Sequence, residues 1–295
     1  MLKKYDIDDS KLLKIAVVAT MSSGKSTFIN ALIGQDILPS QNQACTAKII
    51  PILDNDKSNG YKAYVEYNDG KNEVLDLKDR EVIDSFNNKN EIKEILIEGN
   101  IENIRNRNKA VVLVDTPGTN FSGDDTHQEE TYRFITNLKE GLILYVINAT
   151  QFGIDDDSEL MSYIKGKIKE SDNKLKILFV VNKLDEFDSE KENIEQTMNS
   201  IYEYIVSNGI ENPKVIPISA LAAKLFRQVI NKQELTRKEI RDFKDYYDLF
   251  KPIGCNLNKF SKLDGTEKKQ MDIGGKTFYE DDLLIAIENT GIVVV

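Results

Sequence analysis

The stretch Ala19–Ser26 (ATMSSGKS) constrains this chain more than any other, because it sits between an apolar run and a helical one. It fits the pattern G-x-x-x-x-G-K-[ST], except that Ala19 stands at the first glycine. Ile15–Thr20 (IAVVAT) ahead of it reads as a buried parallel strand. Ser26–Gly34 (STFINALIG) behind it carries Phe28, Ile29, Leu32 and Ile33 at helical spacing and closes on the terminator Gly34. In a strand–loop–helix of this kind, the loop N–H groups and the helix N-terminus form a cavity of positive potential for phosphate oxygens. Ser23, Gly24, Lys25, Ser26 and Thr27 are therefore candidate nucleotide contacts. Gly24 lets the backbone approach closely, Lys25 reaches the β- and γ-phosphates, and the Ser26 hydroxyl is a candidate magnesium ligand. The competing reading is a plain tight turn, and the flanking strand and helix weigh against it.

The alternation then repeats. Strand-like runs fall at Ala110–Val114, Leu142–Ile147, Ile177–Val181 and Val215–Ile218, with helical patterns near Glu129–Lys139, Ser158–Lys169 and Lys191–Ser207. This predicts an α/β fold over Leu13–Ala220, with a mostly parallel sheet covered by helices on both faces. Lys48–Leu53 and Tyr61–Tyr67 are expected to form an antiparallel edge pair. Lys224–Phe250 reads as one charged helix, Lys251–Lys276 as glycine-punctuated and aperiodic, and Tyr279–Asn289 as a last helix.

Three further motifs follow in order, each after a predicted strand. Asp115–Gly118 (DTPG) supplies an acid that can hold magnesium through water and a Gly118 N–H that can meet a γ-phosphate. In isolation it is equally good turn chemistry. Asn182–Asp185 (NKLD) offers a carboxylate that can accept from guanine N1–H and the 2-amino group together, which adenine cannot supply. Asn182 braces the loop and the Lys183 stem lies over the ring; a surface turn is the alternative. Ser219–Leu221 (SAL) places the Ala220 N–H where guanine O6 could be met, although the tripeptide alone means little. All four motifs converge where ligands bind in open α/β sheets, at the carboxyl ends of the strands. Thr46, in Ala44–Ala47 (ACTA), lies just before a strand and could complete magnesium coordination and fix an attacking water. A threonine merely opening a strand is the alternative.

These residues together resemble the dynamin superfamily. Met21-Ser22-Ser23 before Gly-Lys-Ser fits the small residues of that family's phosphate loop, and Gly24–Ala47 (GKSTFINALIGQDILPSQNQACTA) is similar to bacterial dynamin-like proteins, including the replication-clamp-associated type. The long spacing to DTPG and the phrase Asn148–Gly153 (NATQFG) resemble the same group. The likeness covers about Lys14–Ala222. It implies a P-loop GTPase with a Ras-like core at residues 1–222 and a dynamin-type C-terminal extension at 223–295. It also implies catalytic roles. Ser22 would neutralise the oxygen bridging the β- and γ-phosphates and help bind a monovalent cation, K+ or Na+. Lys25, Thr46 and the Gly118 backbone would act on the γ-phosphate and the water. Magnesium would rest on Ser26, Thr46 and Asp115. Two GTPase domains meeting across the nucleotide would complete the site, which predicts a nucleotide-dependent homodimer; Thr119 stands where Ras-like enzymes have a catalytic glutamine, and no arginine finger is evident.

The chain departs from the family at Ala19. Leu225–Val295 is too short for a helical stalk, so membrane contact is expected only through regions outside this chain. The apolar string Ile292–Val295 (IVVV) predicts a chain cut from a longer protein. Formal net charge is −10, which disfavours nonspecific attraction to nucleic acid or to an anionic membrane. Cys45, Cys255 and His127 match no metal-ligand spacing, and such cysteine usage fits a reducing cytoplasm. His127 reads as a polar surface residue. Two other functions compete with a dynamin-like enzyme: an Era-like regulatory GTPase acting on ribosome assembly, and a nucleotide-gated scaffold recruiting a protein partner. Against the first, there is no basic RNA-binding appendage.

Overall fold

A computed structural model describes residues 9–39, 48–77, 81–87, 91–101, 104, 109–119, 126–172, 174–186, 193–251, 255, 257, 270–273, 276–279, 286, 287, 290 and 292. In chain order the elements are β1 (Leu12–Ala19), α1 (Lys25–Ile33), β2 (Ile50–Asp54), β3 (Tyr61–Tyr67), β4 (Asn72–Leu77), α2 (Glu81–Asn87), β5 (Ile92–Gly99) and β6 (Ala110–Asp115). There follow α3 (Thr126–Asn137), β7 (Gly141–Asn148), α4 (Asp155–Glu170), β8 (Leu175–Asn182), α5 (Ile194–Ser207) and β9 (Val215–Pro217). Helices α6 (Ala220–Ile230) and α7 (Arg237–Phe250) and a hairpin of β10 (Gln270–Ile273) and β11 (Lys276–Tyr279) complete the order.

One sheet of nine strands runs β4-β3-β5-β2-β6-β1-β7-β8-β9. From β6 through β9 every pairing is parallel, while β2 lies antiparallel to β6. Alternation along β1 explains the two-sided cover, since successive side chains point to opposite faces. Val17 and Ala19 join the cluster of Phe28 and Ile29 from α1, Phe226 from α6 and Phe243 from α7. Ala16 and Val18 join the cluster of Ile135 from α3, Leu160 and Ile164 from α4, and Ile201 and Ile205 from α5. Each fully buried side chain of this size contributes roughly 1.5–3 kcal/mol, so both layers of helices are held by the sheet they cover. The expected mostly parallel α/β sheet with helices on both faces is what the chain forms.

The edge region differs from the expectation. Tyr61–Tyr67 does not pair with the Lys48–Leu53 stretch. β5 intervenes, antiparallel to β3 and parallel to β2, and β4 forms the outer edge against β3. The strand β4 (NEVLDL) alternates polar and apolar residues and leaves Val74 57% exposed, so its apolar signal is weak. Lys224–Phe250 is two helices rather than one. Thr236 caps α7 by accepting from the Glu239 N–H, and the Glu239 side chain returns to the Thr236 backbone, a capping box that stops and restarts the chain. The final expected helix is also revised: Tyr279 ends a strand, while Ala286 and Ile287 are helical.

The extension does not stand apart from the sheet. Phe243, Phe250, Ala286, Ile287 and Ile292 are buried in the same cluster as Val17 and Phe28. Arg227 Nη1 donates to the Ala31 carbonyl at 2.6 Å and the Leu32 carbonyl at 2.8 Å, satisfying carbonyls that the end of α1 leaves open. Gly34, at φ 73°, closes that helix in the left-handed region, where a side chain would be strained.

Candidate functional site

Four strand ends meet at one edge of the sheet. β1 closes at Ala19, β6 at Asp115, β8 at Asn182 and β9 at Pro217, and the parallel registers bring these carboxyl ends side by side. The loop after β1 is stitched to the loop after β6. Thr20 bridges Thr119, the Thr119 N–H donates to the Ala19 carbonyl at 3.3 Å, and the Met21 N–H donates to the Thr119 carbonyl at 3.2 Å. Thr116 adds a bond from its hydroxyl to the Val17 carbonyl at 2.8 Å. Sequence motifs give no sign of these three threonines as fasteners.

Within the phosphate loop, Ser22 has φ 62° and Gly24 has φ 82°. A left-handed residue turns its peptide away from strand geometry, which opens the loop into a nest of N–H groups suited to anions. Ser22 is exposed, whereas Ser23 is buried and donates its hydroxyl to the Thr20 carbonyl at 2.9 Å. Gly24 is fixed by sterics as well as by φ: a Cβ there would lie 2.4 Å from Asn182 Nδ2. Ser26 and Thr27 occupy the first turn of α1, half-buried. Lys25 is buried, and its ammonium is ion-paired with the fully buried Asp115 carboxylate. A buried charge pair of this kind is retained at a cost in desolvation, so the two side chains mark a place where positive and negative groups face a common space. Hydroxyl and carboxylate oxygens are what a hard divalent cation takes, and Ser26 and Asp115 offer that donor set. Thr46 lies outside the described residues, as does Cys45.

At the other end of the edge, Asn182 binds three motifs together. Its Nδ2 donates to the Ser23 carbonyl at 3.0 Å, and its Oδ1 accepts from the Ala220 N–H at 3.0 Å. The Ala220 N–H is thus engaged by Asn182, where the sequence offered it to a base carbonyl. Lys183 follows at φ 69°, and its ammonium lies 3.4 Å from Glu186 on the turn Leu184–Glu186. Asp185 is half-buried, with Oδ1 fully buried and without a hydrogen bond. The Ser219 hydroxyl is likewise buried and unbonded. Ser219 and Tyr246 lie beside the Asp185 carboxyl, whose pKa is raised by burial against the smaller opposing influence of those hydroxyls. No bond of normal geometry closes on Oδ1 from either hydroxyl, so an acceptor and a donor remain for a ligand at the place predicted for a base. The Gly118 backbone lies near the phosphate loop, with 3.7 Å from an added Cβ to Met21 Cα. The predicted residues Ser22, Ser23, Gly24, Lys25, Ser26, Thr27, Asp115, Gly118, Asn182, Lys183, Asp185, Ser219 and Ala220 therefore share one edge. Thr290, which the motifs do not include, also reaches it, its carbonyl accepting from the Ser219 N–H at 2.9 Å.

The profile of the Dynamin family matches residues 15–185, more than half of the chain. A bacterial dynamin-like protein of Nostoc punctiforme is 27% identical over 190 residues, covering 59% of this chain and 25% of that protein. A solved structure of an oligomerised bacterial dynamin pair, described as a mechanism for long-range sensing and tethering of membranes, superposes with a TM-score of 0.53. It is 19% identical and covers 84% of this chain and 39% of the neighbour. A second structure of the same kind gives 0.52 at 17% identity, with 83% and 39% covered. At these identities the structures establish the fold alone. The chain spans a quarter of the curated relative and about two fifths of each structural neighbour.

Proposed function

This chain belongs to the dynamin family, and on that premise we propose that it binds GTP across the strand-end edge and hydrolyses it to GDP and phosphate. The observation that carries the reading is Asn182. It holds the phosphate loop at Ser23 and the SAL loop at Ala220, and so fixes the distance between phosphate-binding and base-reading groups. Lys25 carries the charge for the β- and γ-phosphates, and the nest at Ser22–Gly24 supplies N–H donors. Asp185 and Ser219 read the guanine edge with the two polar atoms that the chain itself leaves unbonded.

In hydrolysis, water attacks the γ-phosphorus and the bond to the bridging oxygen breaks, with GDP leaving and the water proton passing to the phosphate product. Catalysis of such a loose transition state is mostly positioning and electrostatics. Ser22 neutralises charge on the bridging oxygen and Lys25 on the β- and γ-oxygens, while Thr46 and the Gly118 N–H hold the water in line. Ser26, Thr46 and Asp115 would hold a magnesium ion, which would supply charge neutralisation for the phosphates. Ser22 would help bind a monovalent cation, K+ or Na+, which would add to that neutralisation. The site closes when a second GTPase domain meets the first across the nucleotide. Support for self-association comes from the neighbours, which are oligomerised dynamin pairs.

Residues 1–222 form the GTPase core in this reading and 223–295 its C-terminal extension. No helix among the described residues is long and apolar enough to cross a membrane. We place the chain in the cytoplasm, with any membrane contact made by regions outside it. Family membership favours this over an Era-like regulator or a scaffold without turnover.

The test is GTP turnover per molecule at rising protein concentration, in potassium and then in sodium or lithium. A specific rate that climbs and depends on the cation supports dimer-assembled catalysis; a flat rate indifferent to the cation removes that part of the reading. Thr46→Ala should bind GTP nearly as the parent does and turn it over roughly 100-fold more slowly, in line with loss of one water-positioning group.

A further inference from the structure

The border of the sheet opposite the motif-bearing strand ends has a pattern of its own. β6, β1, β7 and β8 lie side by side and parallel, so their amino ends share that border. Each of the four brings a lysine to it. Lys11 stands directly before β1, Lys109 before β6 and Lys174 before β8, while Lys139 lies just ahead of β7 and Lys14 within the start of β1. The register sets Leu12 beside Ala110, which brings Lys11 next to Lys109, and Gly141 beside Leu175, which brings Glu140 next to Lys174. Lys11, Lys109, Lys139 and Lys174 are all exposed. Among the described residues the acids at these strand starts are Asp9, Glu140 and Asp172, and Glu140 is ion-paired with Lys109 at 3.0 Å. The border is therefore positive, on a chain whose formal net charge is −10.

An apolar cavity lies beside the same lysines. Its volume is about 230 Å³, and Ile49, Pro51, Val112, Val114, Phe134 and Leu138 line it together with Lys14 and Asn137. Val112 is the register partner of Lys14, and Leu138 adjoins Lys139 in the chain, so cavity and border are continuous. A cavity of about 150 Å³ with an apolar lining takes benzene. This one has room for a bulky apolar side chain.

We propose that border and cavity together receive an acidic peptide segment of a partner protein, with one bulky apolar side chain in the cavity and its carboxylates on the lysines. Two features select that occupant. A net charge of −10 repels an extended polyanion such as a duplex or a bilayer face. A short segment meets only the local lysines, because charges farther than about 8 Å are largely screened at physiological salt. The apolar socket, for its part, asks for an anchor of the kind that dominates protein–protein contacts, which a plain polyanion lacks. Helix ends do not account for the lysines. α4 carries Lys167 and Lys169 in its last turn, where they answer its negative carbonyl end, but Lys11 and Lys109 precede strands. The eight residues of β1 separate this border from the phosphate loop by roughly 25 Å, so peptide and nucleotide can be bound at once.

The test titrates the intact chain with two labelled glutamate-rich peptides that differ at one central position, phenylalanine in one and alanine in the other. The phenylalanine peptide should bind roughly 10- to 100-fold more tightly, the worth of burying one such side chain. Raising salt from about 50 to about 500 mM should weaken it at least about tenfold, as screening of exposed charges requires. Reversing two exposed charges, Lys11→Glu with Lys139→Glu, should weaken it by about as much and leave the unfolding temperature and GTP turnover at the parent values. If that double variant unfolds, the salt series on the parent decides the electrostatic part. Equal affinity for the two peptides overturns the proposal, because the cavity is then no socket. Binding indifferent to salt overturns it as well, and so does tighter binding of an oligonucleotide or of phosphatidylserine vesicles, which makes the border a general polyanion surface.

Discussion

At the proposed phosphate end of the site, the chain relies on backbone and on one buried pair; at the proposed base end, it relies on side chains delivered from distant elements. Ser22 and Gly24 shape the first region by their φ values, and Lys25 faces Asp115 within ninety residues of sequence. The second region gathers Asn182 and Asp185 from the end of β8, Ser219 after β9 and the Thr290 carbonyl from the C-terminal segment. The phosphate end is therefore one loop braced by the ends of two neighbouring strands, and the base end also draws on the C-terminal extension. The first should tolerate damage to the extension and the second should not.

The sharpest way to separate the two is at Lys25. Lys25→Ala should abolish detectable GTP and GDP binding, measured by calorimetry, because the phosphates lose their buried cation. It should also destabilise the fold by roughly 3–5 kcal/mol, the cost of leaving a buried charge such as Asp115 without its partner. Retention of both affinity and stability would remove the phosphate end from the account.

Phe243→Ala attacks the extension instead. Truncating a buried phenylalanine costs roughly 3–5 kcal/mol, read by chemical denaturation. If the comparison holds, this variant loses its preference for GDP over IDP, which lacks the 2-amino group, while its affinity for inorganic pyrophosphate, which senses only the phosphate end, changes less than twofold. Equal losses for both ligands would show that the two ends are not separable.

A smaller effect follows from the carboxyl of Asp185, whose pKa is raised by burial. Base recognition requires the ionised form, so GDP affinity should fall on acidification at a pH above that at which an exposed aspartate, near 3.9, would protonate (about tenfold per unit below the pKa). Stability of the nucleotide-free chain moves the other way. The group's contribution is complete below its unfolded pKa and is lost as pH rises through the raised folded value. Asp185→Asn should flatten both profiles and weaken the guanine preference; a variant with the parent's pH profile would clear Asp185 of the role.

This division also explains what the sequence disclosed. The strand–loop–helix at Ala19–Ser26, DTPG at the end of β6, NKLD at the end of β8 and SAL after β9 are short-range signals, legible because loop chemistry and an apolar strand sit next to each other. The strand order of the edge was not legible. The strands β4 and β5 carry charges between their apolar residues, and nothing local says that β5 will separate β3 from β2. Thr290 was hidden for a different reason. No local signal marks it, and only the fold brings its carbonyl to the Ser219 N–H. The break between α6 and α7 was present in the sequence as Thr236 and Glu239, three residues apart, and is recognisable as a capping box.

The most direct test of the central claim is phosphate release from GTP and ATP, assayed in parallel with magnesium on the intact chain. The account predicts hydrolysis of GTP, its loss in Lys25→Ala, and negligible release from ATP, whose base offers Asp185 no N1–H. Release from ATP at the GTP rate, or from neither at any protein concentration, would contradict it.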